Sequence, residues 1–130
     1  MSDTGLGTAL RKLRDRRTLS VREVGKLSEI DHAYIHRLES GEKTSPSKEL
    51  VGKLLKVLKA NERDAAIVNW LSEHPDANPD LVAFVLDDPA IDLDVFTMAA
   101  GARHRGGARP DPATLIQRVM RALETDDEDD

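Results

Sequence analysis

The sequence predicts an all-α protein. Apolar residues recur three and four positions apart in segment after segment, which is the period of a helix. Most of these segments open on a side chain suited to a helix N-cap or are bounded by Gly or Pro. No run alternates polar and apolar residues as a half-buried strand requires.

The first helix spans about Thr4 to Arg17, with Leu6, Leu10 and Leu13 on one side and Arg and Lys between them. A second opens at Ser20, and Glu23 stands three residues on, where it completes a capping box. Val21, Val24 and Leu27 are its expected inner face. The stretch "SEI" makes a tight connection to a third helix. Asp31 caps that helix and Gly41 ends it, because a left-handed residue costs little at glycine.

Ser47 caps a fourth helix striped by Leu50, Val51, Leu54, Leu55 and Leu58. Asn61 caps a fifth, carrying Ala65, Ile67, Val68, Trp70 and Leu71. "HPDANPD" interrupts it, and Pro79 suits the first turn of a helix holding Leu81, Val82, Phe84, Val85 and Leu86. "DDPAIDLD" turns the chain into a short apolar segment, Val95 to Ala100. "GARHRGGARPDP" is a Gly- and Arg-rich loop. The last helix, Pro112 to Glu124, turns Leu115, Ile116, Val119, Met120 and Leu123 inward, and the tail "TDDEDD" is expected to be disordered. No internal repeat is found.

At 130 residues the chain can form one compact domain or two small ones. Aromatic residues make up only 3%, so any core is mainly Leu, Val, Ile and Ala. The absence of cysteine removes disulfides, thiolate metal sites and a cysteine nucleophile, and fits a cytoplasmic protein. The N-terminus lacks the long apolar run expected of a signal peptide, and no stretch approaches the roughly 20 apolar residues of a membrane span. The net charge of −5 hides an asymmetry. Residues 1–60 hold 13 Lys/Arg against 8 Asp/Glu, a balance of +5; residues 61–130 hold 6 against 16, a balance of −10. A basic front half suggests an anionic partner, and ordinary surface charge explains it equally well.

The stretch "IDHAYIHRLESGE" sharpens that choice. At about 100° per residue, Ile35 and Leu38 point towards a core, while Ala33, His36 and Arg37 point away. His32 and Tyr34 flank them. Such a face is small at its centre and ringed by hydrogen-bonding groups. It suits a DNA major groove, where Ala33 allows close approach and Arg37 can bond a guanine with both arms. Taken alone, Arg37 is as easily a solvated charge. His32 and His36 have metal-ligand spacing, but Ala33 stands where an HExxH glutamate would be, and no third ligand is apparent. No metal and no cofactor is expected.

The stretch "TALRKLRDRRTLSVREVGKLSEIDHAYIHRLESGEKTSPSKELVGKLLKVL" resembles the lambda-repressor-like, XRE-type helix-turn-helix domain. The markers are "LSVREV", the apolar Ile30, Ile35, and "RLESGE" followed by Pro46. The likeness implies a five-helix domain whose third helix reads bases. The base-reading positions would be His32, Ala33, His36 and Arg37, with Tyr34 nearer the DNA backbone. It also implies a structural ion pair between Arg14 and Glu39. Where the family often has Gln to hold a phosphate, this chain has Val21. The phosphate grip would then lean on Arg22, Lys43, Thr44 and Lys48, helped by free N–H groups at the helix N-terminus.

The expected organisation is an XRE-type domain over residues 1–74, a helical dimerisation and regulatory module over 75–124, and an acidic tail over 125–130. A piece as short as the second half buries too little surface alone, and a second copy would cover it. Phe84, Leu86, Phe96 and Met120 are its candidate core or interface residues. A fragment ending near His74 should then keep its helices. The expected partners are double-stranded DNA and a second copy.

"LVAFVLDDPAI" and "VFTMAAGARHRGGARPDP" resemble the short XRE repressors paired with ImmA/IrrE-type metalloproteases, the deinococcal radiation-response repressors among them. That likeness implies proteolytic inactivation, and the Gly- and Arg-rich loop, as easily a solvated turn or a source of phosphate contacts, offers a candidate cleavage region at Met98, Gly101, Ala102, Arg103 and Arg105. The leading function is therefore a dimeric repressor of a pseudo-palindromic operator. The alternative is an antitoxin that represses its own operon while covering a toxin. An enzyme is not expected, for want of a Gly-rich phosphate loop or a carboxylate–histidine constellation.

Overall fold

The computed structural model describes residues 4–101 and 110–128, with side chains as far as Glu124. Among the described residues there are eight α-helices and no strand. They are α1 (Gly5–Arg16), α2 (Val21–Ser28), α3 (His32–Ser40), α4 (Lys48–Leu58), α5 (Glu62–Glu73), α6 (Pro79–Asp87), α7 (Leu93–Ala100) and α8 (Pro112–Glu128). None is long and apolar enough to cross a membrane.

Local chemistry sets the helix starts. Thr4, Ser20, Asp31, Ser47, Asn61, Asn78 and Asp92 each accept a hydrogen bond from a backbone N–H of the first turn they precede. Ser20 and Glu23 complete the reciprocal capping box. Three helices end on a left-handed residue: Gly41 after α3, and the non-glycines Glu29 and Lys59 after α2 and α4.

One core runs through the molecule. Leu6, Leu10, Ile35, Leu54, Ile67 and Leu71 belong to the same buried cluster as Val82, Phe96 and Ile116. Helix α1 lies at its centre and packs on α3, α5 and α6. Helix α4 joins α2 to α5, and α8 lies on α6 and α7.

The second half is joined to the first all along α1. The Gly5 N–H donates to Pro75 O at 3.0 Å, and Lys12 Nζ meets Asp87 at 2.9 Å. An arm of Arg16 bonds the Leu86 carbonyl. A second connection was not legible in the sequence. Asp64, 2% exposed near the start of α5, accepts from Arg16 Nη1 at 2.9 Å and from Arg63 Nη2 at 2.8 Å. Arg63 Nη1 also donates to the carbonyls of Val85, Asp88 and Ile91 at 2.9, 3.1 and 2.7 Å. One guanidinium therefore bridges the end of α6 and the following turn, adding a charged donor to Val85 O and Asp88 O, which also accept from the Asp88 and Ile91 N–H groups.

Several expectations change in detail. Leu27 is 59% exposed rather than internal. Val24 is buried as expected, Ser28 rather than Leu27 is buried beside it, and the Ser28 hydroxyl donates to Val24 O at 2.7 Å. Leu86 and Phe96 are core, while Phe84 and Met120 are half-buried. Helix α7 begins at Leu93, ahead of the apolar segment, because Asp92 caps it. Helix α8 runs past Glu124 to Glu128, into the segment expected to be disordered, since no Gly or Pro stops it.

Candidate nucleic-acid interface

Helices α2 and α3 meet through a tight turn. Glu29 takes φ 60° there, and the Ile30 N–H donates to Gly25 O at 3.1 Å. The approach is close at Gly25, where an added Cβ would lie 2.9 Å from both His32 Cβ and Ile30 O. Ile30 packs half-buried against the core. Asp31 then caps α3 by accepting from the Ala33 N–H at 3.0 Å.

Helix α3 is mounted from behind. Ile35 and Leu38 are buried. At its far end Glu39 is 3% exposed and takes two parallel bonds from Arg14, Nε to Oε2 and Nη2 to Oε1, each 2.8 Å. The third arm of Arg14 donates to Leu19 O at 2.9 Å. The bond to Glu39 raises the Arg14 pKa above its ordinary value, against the opposing pull of burial. Gly7 lets α1 lie on this corner, since a Cβ there would sit 2.4 Å from Glu39 O. The end of α3 is thus held to α1 by a fork-shaped ion pair and a backbone-to-backbone approach.

The opposite face is free of the core. His32, His36 and Arg37 are exposed, and Ala33 is half-buried among them. Arg37 Nε reaches Glu42 only at 4.0 Å, with both side chains solvated, so its guanidinium is not locked. Among the described residues no group of three or more His, Cys, Asp or Glu is placed to hold a metal ion.

The remaining sequence candidates sit around this helix. Tyr34 is half-buried and packs against the core. Val21 does the same, which leaves its N–H at the start of α2 as its polar contribution. Arg22 is exposed in the first turn of α2. The Lys43 N–H donates to Arg37 O at 3.0 Å, folding the α3–α4 loop back over the end of α3. Thr44 is half-buried in that loop, and Lys48 is exposed at the first position of α4 behind the Ser47 cap. In the candidate cleavage region, Met98 is exposed on α7 and Gly101 follows that helix. Ala102, Arg103 and Arg105 lie outside the described residues.

Residues 6–66 match a family model described as a helix-turn-helix domain. The chain is similar to the solved structure of the clp gene regulator ClgR from C. glutamicum. Identity is 30% over 54% of this chain and 86% of that one, with a TM-score of 0.45. No curated protein matches. With α2, its turn and α3 inside the matched segment, residues 6–66 are an XRE-type helix-turn-helix domain, the DNA-binding domain of a transcription regulator.

Proposed function

We propose that this regulator is a dimeric repressor that reads a pseudo-palindromic operator through α3. The observation carrying this reading is the face of α3 formed by His32, Ala33, His36 and Arg37, which takes no part in the core. A small residue among polar ones lets the helix approach base edges, and Arg37 can offer two donors to guanine. Arg22, Tyr34, Lys43, Thr44 and Lys48 are assigned to the DNA backbone, which fixes position and carries no base information.

Dimerisation rests on the DNA rather than on the fold. Residues 75–124 already bury apolar side chains within the chain, α6 on α1, α7 on α5, and α8 on α6 and α7. What supports a dimer is that one reader of this kind contacts only a half-site, and two-fold symmetry joins two such contacts. Release by cleavage between Met98 and Arg105 belongs to the same proposal and rests on the sequence alone, on the likeness and on the Gly- and Arg-rich composition that gives a protease access.

The test is selection of bound duplexes from a random pool. The expected site has two inverted half-sites about 34 to 36 Å apart, centre to centre. Recovery of single, asymmetric half-sites bound by monomers would sink the dimeric reading and leave the base-reading role of α3 standing.

A further inference from the structure

Leu27 is one of two large apolar side chains strongly exposed among the described residues. It does not stand alone. It lines an open groove with Val57, between the ends of α2 and α4. Arg17, Lys53, Lys56 and Lys59 line the same groove. Arg17 is partly engaged, donating to Val57 O. Among the described residues no ion pair holds the three lysines. Glu29 is the single carboxylate of the lining.

Lysines near a helix C-terminus complement its dipole, and Lys56 in the last turn of α4 does so. That explains neither Lys53, further back, nor an uncovered leucine. A DNA phosphate would use the cations and leave Leu27 in water. A protein segment with carboxylates beside an aliphatic side chain would use both.

We propose that this groove is a docking site for an acidic protein segment carrying one aliphatic side chain. The aliphatic group covers Leu27 and Val57, and the carboxylates face Lys53, Lys56 and Lys59. The site belongs to the helix-turn-helix half and lies beside the α2–α3 turn, since Ser28 and Glu29 also line it. A partner held there would sit next to α3 without using His36 or Arg37.

The chain's own residues 120–130, "MRALETDDEDD", have this chemistry and supply a probe. A fluorescein-labelled peptide of that sequence is titrated into the full-length protein, with anisotropy as the readout. Saturable binding is expected. It should weaken at least about tenfold when Lys53, Lys56 and Lys59 are all changed to Gln, and when salt rises from about 50 to about 500 mM. Leu27→Ser in the protein and Leu123→Ser in the peptide should each weaken it severalfold. All four protein positions are exposed, and circular dichroism checks that the variants fold. Affinity for duplex DNA should change less than about twofold in these variants. Absence of saturable binding, or binding indifferent to the lysines, overturns the proposal. Loss of duplex affinity with peptide binding unchanged assigns the cations to DNA and also overturns it.

Discussion

Arg14 and Glu39, 25 residues apart, are joined by two parallel hydrogen bonds of 2.8 Å. This fork locks the end of the proposed reading helix to α1, and Gly7 lets the two backbones come close enough for it to form. Glu39→Ala would leave a largely buried guanidinium facing only Leu19 O and Asp15. The expected loss is about 3 kcal/mol in urea unfolding. Changing Arg14 and Glu39 together to Ala should cost less than the two single losses added. Strict additivity would mean that the pair is not coupled. Arg14→Lys should not rescue, because an ammonium cannot make the planar double contact.

Arg37→Ala should cost about 1 to 3 kcal/mol of specific binding and relax preference at one base position. Lys48→Ala should weaken all duplexes more evenly and flatten the salt dependence. Binding to specific and random DNA is measured side by side. Equal losses on both for Arg37→Ala would remove it from base reading.

Removing the chain after His74 should destabilise the helix-turn-helix half itself. Helix α1 would lose α6, and with it the contacts of Lys12 to Asp87 and Arg16 to Leu86 O. The expectation from sequence, that such a fragment keeps its helices, therefore changes. Its thermal midpoint should fall well below that of the full chain, or its unfolding should lose cooperativity. A fragment melting as the full chain does would show residues 75–124 to be detachable.

Arg63→Ala should cost about 2 to 3 kcal/mol, since three carbonyls lose a charged donor and Asp64 keeps only Arg16. Hydrogen exchange should rise first after α6, around Asp88 to Ile91. Faster exchange confined to α5 would place the role of Arg63 elsewhere.

The α2 capping box should respond to acid. The Ser20 N–H, bonded to the Glu23 carboxylate, holds that group below its ordinary pKa of 4.5. A depressed folded-state pKa means that the contribution is whole above the unfolded value. It is lost as pH falls through the folded one. Glu23→Gln keeps an acceptor without the titration, so it should flatten this part of the pH dependence. The check is the thermal midpoint of both proteins from pH 7 to pH 3; identical slopes would remove Glu23 as a contributor.

The outward placement of His32, His36 and Arg37 was readable from the helical period, because Ile35 and Leu38 claim the other side. The Arg14–Glu39 pairing came only by likeness, since nothing local links residues so far apart. Leu27 was misplaced for a related reason. Its spacing from Val24 suits an inner face, but α3 approaches α2 at Gly25, and Ser28 rather than Leu27 is buried beside Val24.

That the segments are helices, and where most of them start, is fixed by local chemistry. A cap such as Ser20 or Asp31 bonds an N–H two or three residues away, so its effect is complete within one turn. The burial of Asp64 between Arg16 and Arg63, and the closing of α6 over α1, arise from long-range packing. In the sequence Asp64 reads as an ordinary acid in the first turn of a helix. Its burial depends on residues brought from up to 48 positions away, and no local pattern records which distant backbone will arrive to cover a side chain.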